Sequence, residues 1–133
     1  MHALPTFSEL GISGDLVAAL KRGGIDAPFP IQVATLPDAI AGRDILGRGQ
    51  TGSGKTLAFG LAMLTRLTGR RAQSRRPLGL VLVPTRELAM QVSDTLSPLA
   101  HTVNLSVRLI AGGMPYAKQI LSLILISEPT RPY

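Results

Sequence analysis

The amino-acid sequence predicts an α/β fold, an incomplete doubly wound parallel sheet, on three observations. Apolar segments of strand and helix length alternate in the order β, α, β, α, β between Asp44 and Ile110, the pattern of parallel strands joined by right-handed helical crossovers. One of them, Leu78 to Val83, carries no polar residue, which is how a strand buried on both faces reads. A glycine-rich segment, Gly49-Gln50-Thr51-Gly52-Ser53-Gly54-Lys55-Thr56, occupies the first strand-to-helix junction, and in such sheets ligands bind beyond the carboxyl ends of the strands.

In chain order, Ser13 is placed to cap a helix running to about Lys21, with Asp15 in its first turn, Arg22 at its end and Gly23-Gly24 as its stop. Pro30 can open a second helix from Ile31 to Ala41, closed by Gly42; Pro37 inside it predicts a kink or a break into two. Asp44 to Arg48 reads as the end of a short strand. Lys55 to Leu67, free of proline and rich in Leu, Ala, Met and Phe, reads as a buried helix. The basic stretch from Arg70 to Pro77 is a solvated connection. Pro84-Thr85 ends the second strand, Arg86 to about Ala100 forms a helix, and Asn104 to Ile110 supplies a third strand that stops at Gly112-Gly113. Residues 49 to 56, 84 to 87 and 112 to 113 would therefore line one edge of the sheet.

The segment Gly49 to Thr56 fits G-x-x-x-x-G-K-[ST]. Its glycines let backbone N–H groups crowd against an anion, and the following helix adds partial positive charge at its N-terminus. The chemistry fits a nucleoside triphosphate: Lys55 reaches the β and γ phosphates, and the Thr56 hydroxyl completes the shell of a Mg²⁺ ion. Lysine occurs only at 21, 55 and 118 in a chain that otherwise uses arginine, so position 55 calls for a compact point charge.

Composition limits the alternatives. The chain has 133 residues, 45% of them hydrophobic, enough for one domain with a core. Fourteen Lys and Arg against eight Asp and Glu give a net charge of +6, which favours polyanionic partners. There is no cysteine, and His2 and His101 lack ligand spacing, which leaves no metal chemistry beyond Mg²⁺. Neither a leader pattern nor a membrane-spanning run is expected, which makes the protein cytoplasmic and free of membrane contact.

Further motifs agree with the phosphate-binding loop, and from about Phe7 to Ile120 the chain resembles the amino-terminal part of the first domain of DEAD-box RNA helicases. Gly24-Ile25-Asp26-Ala27-Pro28-Phe29-Pro30-Ile31-Gln32 is similar to the Q motif of that family, with Phe7 at the upstream aromatic position. The resemblance implies that Gln32 reads the adenine edge, since an amide offers both donor and acceptor, and that Phe7 lies against the base; read alone, Phe7 is equally a hydrophobic anchor for the first helix. Gly49 to Thr56 resembles motif I. Pro84-Thr85-Arg86-Glu87-Leu88-Ala89 is similar to motif Ia, and Gly112-Gly113 to the glycine pair that follows it. Pro84, Thr85, Arg86, Gly112 and Gly113 are thereby implied in contacts with RNA phosphates, which carry no base information.

The resemblance implies a RecA-like domain of the phosphate-loop NTPase type. Residues 5–33 form its Q-motif segment and 34–120 part of its ATP-binding domain. The intact parent, expected to be a monomer, would couple ATP binding and hydrolysis to local unwinding of RNA. Lys55 and Thr56 are the catalytic positions within reach. No Asp-Glu-Ala-Asp occurs in the sequence, so this chain alone is expected to bind nucleotide without turning it over. Other readings are a different phosphate-loop nucleic-acid-dependent ATPase and a non-catalytic module that binds RNA or a partner. Residues 121–133 follow neither pattern: Leu121 to Arg131 closely resembles, apart from Leu125, the translation of a common transposase-type sequencing-library adapter, and a foreign tail is expected there. A strand over Leu121 to Ile126 is the alternative.

Overall fold

Four helices are formed among the described residues: α1 (Gly14–Arg22), α2 (Pro30–Ile40), α3 (Lys55–Leu67) and α4 (Arg86–Thr102). They belong to a computed structural model that describes residues 4–49, 54–71 and 76–110. The sequence places each of these helices to within two residues at either end.

Two local expectations are corrected. Ser13 does precede α1 with extended backbone, yet its hydroxyl makes no cap hydrogen bond; the Oγ is turned into the protein, buried and without a partner among the described residues. Pro37 does not divide α2, which runs through it as one helix. A proline removes one backbone donor, but the bonding resumes beyond it, with Ala41 N–H donating to Pro37 O at 3.1 Å, and α2 packs along α3.

Ahead of α1 a capping box that sequence reading overlooked fixes the entry of the chain. Thr6 N–H donates to Glu9 Oε1, and Glu9 N–H donates to Thr6 Oγ1, both at 3.1 Å. That turn directs Phe7, Leu10 and Ile12 inward, onto Leu16 and Leu20 of α1 and the rest of the core. α3 is the central element, packed on α2 at one side and α4 at the other, and α1 packs on α4. Leu16, Leu20, Leu36 and Leu61 are fully buried, each contributing roughly 1.5–3 kcal/mol by leaving water. Gly60 permits the close approach of α3 and α4: a Cβ there would lie 3.1 Å from Leu96 Cδ1 and 3.2 Å from its Cγ.

The expected strands are the main departure. Among the described residues no strand is assigned over 44–48, 78–83 or 104–110, and no backbone hydrogen bond joins these segments to one another. Their side chains nonetheless alternate as strands do: Val81, Val83, Leu105 and Val107 pack against the helical core, while Leu80 and Leu82 point outward, Leu82 being 84% exposed. Leu46 is exposed to 87%. The segment read as buried on both faces is covered on one. A strand exists only where a neighbour accepts its ladder, and neither that neighbour nor the outer layer lies among the described residues.

Candidate nucleotide-binding site

The phosphate-binding segment is described at its two ends. Gly49 is partly exposed, Gln50 to Ser53 lie outside the described residues, and Gly54, Lys55 and Thr56 lead into α3. Gly54 is the N-cap of α3 in the left-handed region, at φ 85° and ψ 22°, and among the described residues no side-chain cap bond closes the helix. The first N–H groups of a helix have no partner within it, so the terminus keeps its donors and its share of the helix dipole free for an anion. Lys55 is exposed and Thr56 partly exposed at the same terminus. Phosphate oxygens suit such a donor set in their chemistry.

Gln32 is joined to this terminus. It is the third residue of α2 and 1% exposed. Its Oε1 accepts from Phe29 N–H at 2.9 Å, and its Nε2 donates to Gly54 O at 3.0 Å. The same carbonyl accepts Ala58 N–H at 3.0 Å, the first bond of α3. One side chain therefore caps the start of α2 and grips the residue before Lys55, 22 positions along the chain. An amide has two N–H donors and two acceptor lone pairs, so one of each is uncommitted, on a side chain as buried as Phe7 that a ligand edge would meet only if its cover opened. A Cβ on Gly54 would collide with that Nε2 and lie 2.6 Å from Phe29 Cδ2. Glycine is required here on two counts, the positive φ and the space.

Phe7 lies elsewhere. It is 2% exposed and part of the core cluster with Leu10, Leu16 and Leu20, so a base could reach its ring only if the ring left the core. Phe29 was passed over in the sequence reading. The signal was its position three residues before Gln32, where an N-cap residue and the third helical residue meet.

At the other predicted edge, Pro84, Thr85 and Arg86 are all exposed. Thr85 is the N-cap of α4, and its Oγ1 accepts from Leu88 N–H at 3.1 Å. Gly112 and Gly113 lie outside the described residues, as does the segment 121–133. Among the described residues no helix is long and apolar enough to cross a membrane, and no group of His, Cys, Asp or Glu is placed to hold a metal.

Comparison with known proteins gives the family and the fold. The family model described as DEAD/DEAH box helicase matches residues 29–131. The ATP-dependent rRNA helicase rrp3 of Neosartorya fischeri is 41% identical over 131 residues, covering 95% of this chain and 27% of the relative. The probable ATP-dependent RNA helicase ddx27 of Dictyostelium discoideum is 41% identical over 133 residues, covering 96% and 17% respectively. Among solved structures, the RNA helicase Prp28 of Chaetomium thermophilum bound to ADP superposes with a TM-score of 0.75 at 34% identity, covering 89% of this chain and 29% of that one. A DEAD box protein from the hyperthermophile Methanococcus jannaschii gives 0.80 at 28% identity, with 92% and 33% covered. The chain thus shares the fold of these proteins and spans about a third or less of their length.

Proposed function

The chain belongs to the DEAD/DEAH box helicase family, and on that premise we propose that it is the ATP-binding front of an ATP-dependent RNA helicase. The observation that carries the reading is the start of α3: an uncapped helix terminus behind a left-handed glycine, with Lys55 exposed beside it and the Gln32 amide bonded to the Gly54 carbonyl. Gly49 to Thr56 holds the triphosphate. Lys55 neutralises its β and γ oxygens, and the Thr56 hydroxyl holds a Mg²⁺ ion, whose chemistry when bound is to offset the charge on those oxygens. Gln32 reads the adenine edge with the donor and acceptor it has left, and so selects ATP.

RNA is bound through its phosphates at Pro84, Thr85 and Arg86, with Gly112 and Gly113, and without regard to sequence. In the parent enzyme both ligands together drive local strand separation. This chain carries the cradle without an acidic Mg²⁺-holding motif, so it binds ATP and does not turn it over. The adapter-like sequence of residues 121–133 reads as a foreign tail, while the family match runs on to residue 131; resequencing of the locus through the codon for Ile120, without a transposase-made library, decides between the two.

The test is equilibrium binding of ATP and GTP to the chain and to Lys55→Ala. ATP should bind more tightly than GTP, and the substitution should weaken ATP roughly tenfold or more, the size of a hydrogen bond to a charged group. Equal affinity for the two nucleotides would remove Gln32 from its role, and an unchanged Lys55→Ala would remove the phosphate site.

A further inference from the structure

We propose that the far end of α3 carries a docking site for an acidic peptide segment of a partner protein, with one apolar side chain in a cavity and flanking carboxylates on Arg66 and Arg70. The cavity, about 360 Å³, lies where the ends of α2 and α3 meet the segment that begins at Leu78. Ala62, Met63, Leu67 and Leu78 give it apolar walls, and Arg66 and Arg70 stand exposed at its mouth. At about 1.5 Å per residue of helix, Arg66 lies roughly 16 Å beyond Lys55. Neither the phosphate-binding terminus nor the start of α4 contributes to the cavity.

Both arginines are uncommitted. Among the described residues neither has an ion pair or a side-chain hydrogen bond, and the carboxylate at this end of α2, Asp38, is taken by Arg43 at 2.7 Å. Arg66 is also positioned: a Cβ on Gly42 would lie 3.3 Å from its Nη2 and 3.5 Å from its Cζ, so the guanidinium lies over a residue that has no side chain to push it away. The wall at Gly79 is close-packed, since a Cβ there would lie 2.9 Å from Met63 Sδ and 3.1 Å from Leu67 Cδ1. A positioned guanidinium loses less freedom on binding, and it offers a carboxylate two parallel N–H donors.

Lining and charge together select the occupant. An apolar floor rimmed by arginine is the anatomy of a protein interface, whereas nucleic-acid interfaces are more polar throughout. The net charge of +6 draws an acidic segment in. The volume falls at the low end of ligand pockets, roughly 300–1,000 Å³, which suits a single anchoring side chain.

The experiment titrates the full chain with the unlabelled peptide acetyl-Glu-Glu-Phe-Leu-Glu-Glu-amide, by calorimetry and by methyl NMR. Binding should saturate and shift the methyls of Met63, Leu67 and Leu78. Arg66→Glu should weaken it about tenfold to a hundredfold, the size of a lost hydrogen bond between charged groups. Arg22→Glu, the same change of charge at the end of α1, should leave it unchanged. A peptide with Gly-Gly in place of Phe-Leu should bind more weakly, and ATP should not displace the original. Equal losses in Arg22→Glu and Arg66→Glu would overturn the proposal, leaving only attraction to net charge. So would saturation without shifts at the three methyls, or no binding at all. Displacement by ATP, or by decauridylate in an Arg66-dependent way, would overturn it by assigning the cavity to nucleotide or RNA. The methyl shifts are read on the wild-type chain, so they decide the matter even if a variant does not fold.

Discussion

α3 and α4 both begin just beyond an apolar extended segment, and their first residues are arranged in opposite ways. α4 satisfies its own N-terminus: the Thr85 hydroxyl accepts from Leu88 N–H, and Glu87 sets a negative charge in the first turn. α3 does neither. Among the described residues it has no side-chain cap and no acid in its first turn, and Gln32, which grips its N-cap residue, takes the carbonyl and leaves the N–H groups alone. The difference separates a helix end built for stability from one held open for a strong anion. It also ranks the two predicted phosphate contacts. On the proposed reading, a triphosphate at α3 would meet a dipole uncompensated by acidic residues in the first turn, whereas a nucleic-acid phosphate at α4 would compete with a cap and a carboxylate and rely on Arg86.

Substitutions at the two termini should break this contrast to different degrees. Gly54→Ala has the largest expected effect. A side chain at φ 85° costs about 1–2 kcal/mol, and overpacking against the Gln32 amide and the Phe29 ring adds roughly 1–3 kcal/mol. The denaturant midpoint should fall accordingly, and ATP binding should be lost with it; a midpoint within error of wild type would show that the Gln32 to Gly54 contact is not formed. Thr85→Ala should cost about 1 kcal/mol, the usual value of an N-cap, and leave ATP affinity unchanged. If ATP binding weakens there, the two termini are not independent. The smallest effect belongs to Thr65, whose hydroxyl is buried in α3 without a hydrogen-bond partner among the described residues. Thr65→Val should raise stability by up to about 1 kcal/mol, since an unpaired polar group is removed at nearly constant shape, and a loss of stability would mean that the hydroxyl is bonded after all.

The helices were legible because their signals are local. Pro30 at the first turn of α2, Gly42 behind it, and the proline-free run from Lys55 to Leu67 report on the residues that carry them. The strands were not, because Leu80, Leu82 and Leu46 become buried only if something pairs and covers them, and that is not written in their own segments. The site divides in the same way. Gly54, Lys55 and Thr56 were singled out from a contiguous pattern, and Gln32 from the resemblance of the segment Gly24–Gln32 to the Q motif. The bond between Gln32 and Gly54 crosses 22 residues and leaves no local trace. Phe7 was placed at the base by resemblance, and the Thr6 and Glu9 capping box explains why it faces the core instead.

The most direct test of an open α3 and a closed α4 is an amide NMR titration of the chain with inorganic tripolyphosphate, which reports on each N–H without involving a base. The account predicts shifts concentrated at Lys55, Thr56 and Leu57 that saturate, with Arg86, Glu87 and Leu88 little affected. Saturable shifts at the start of α4 with none at α3 would contradict it.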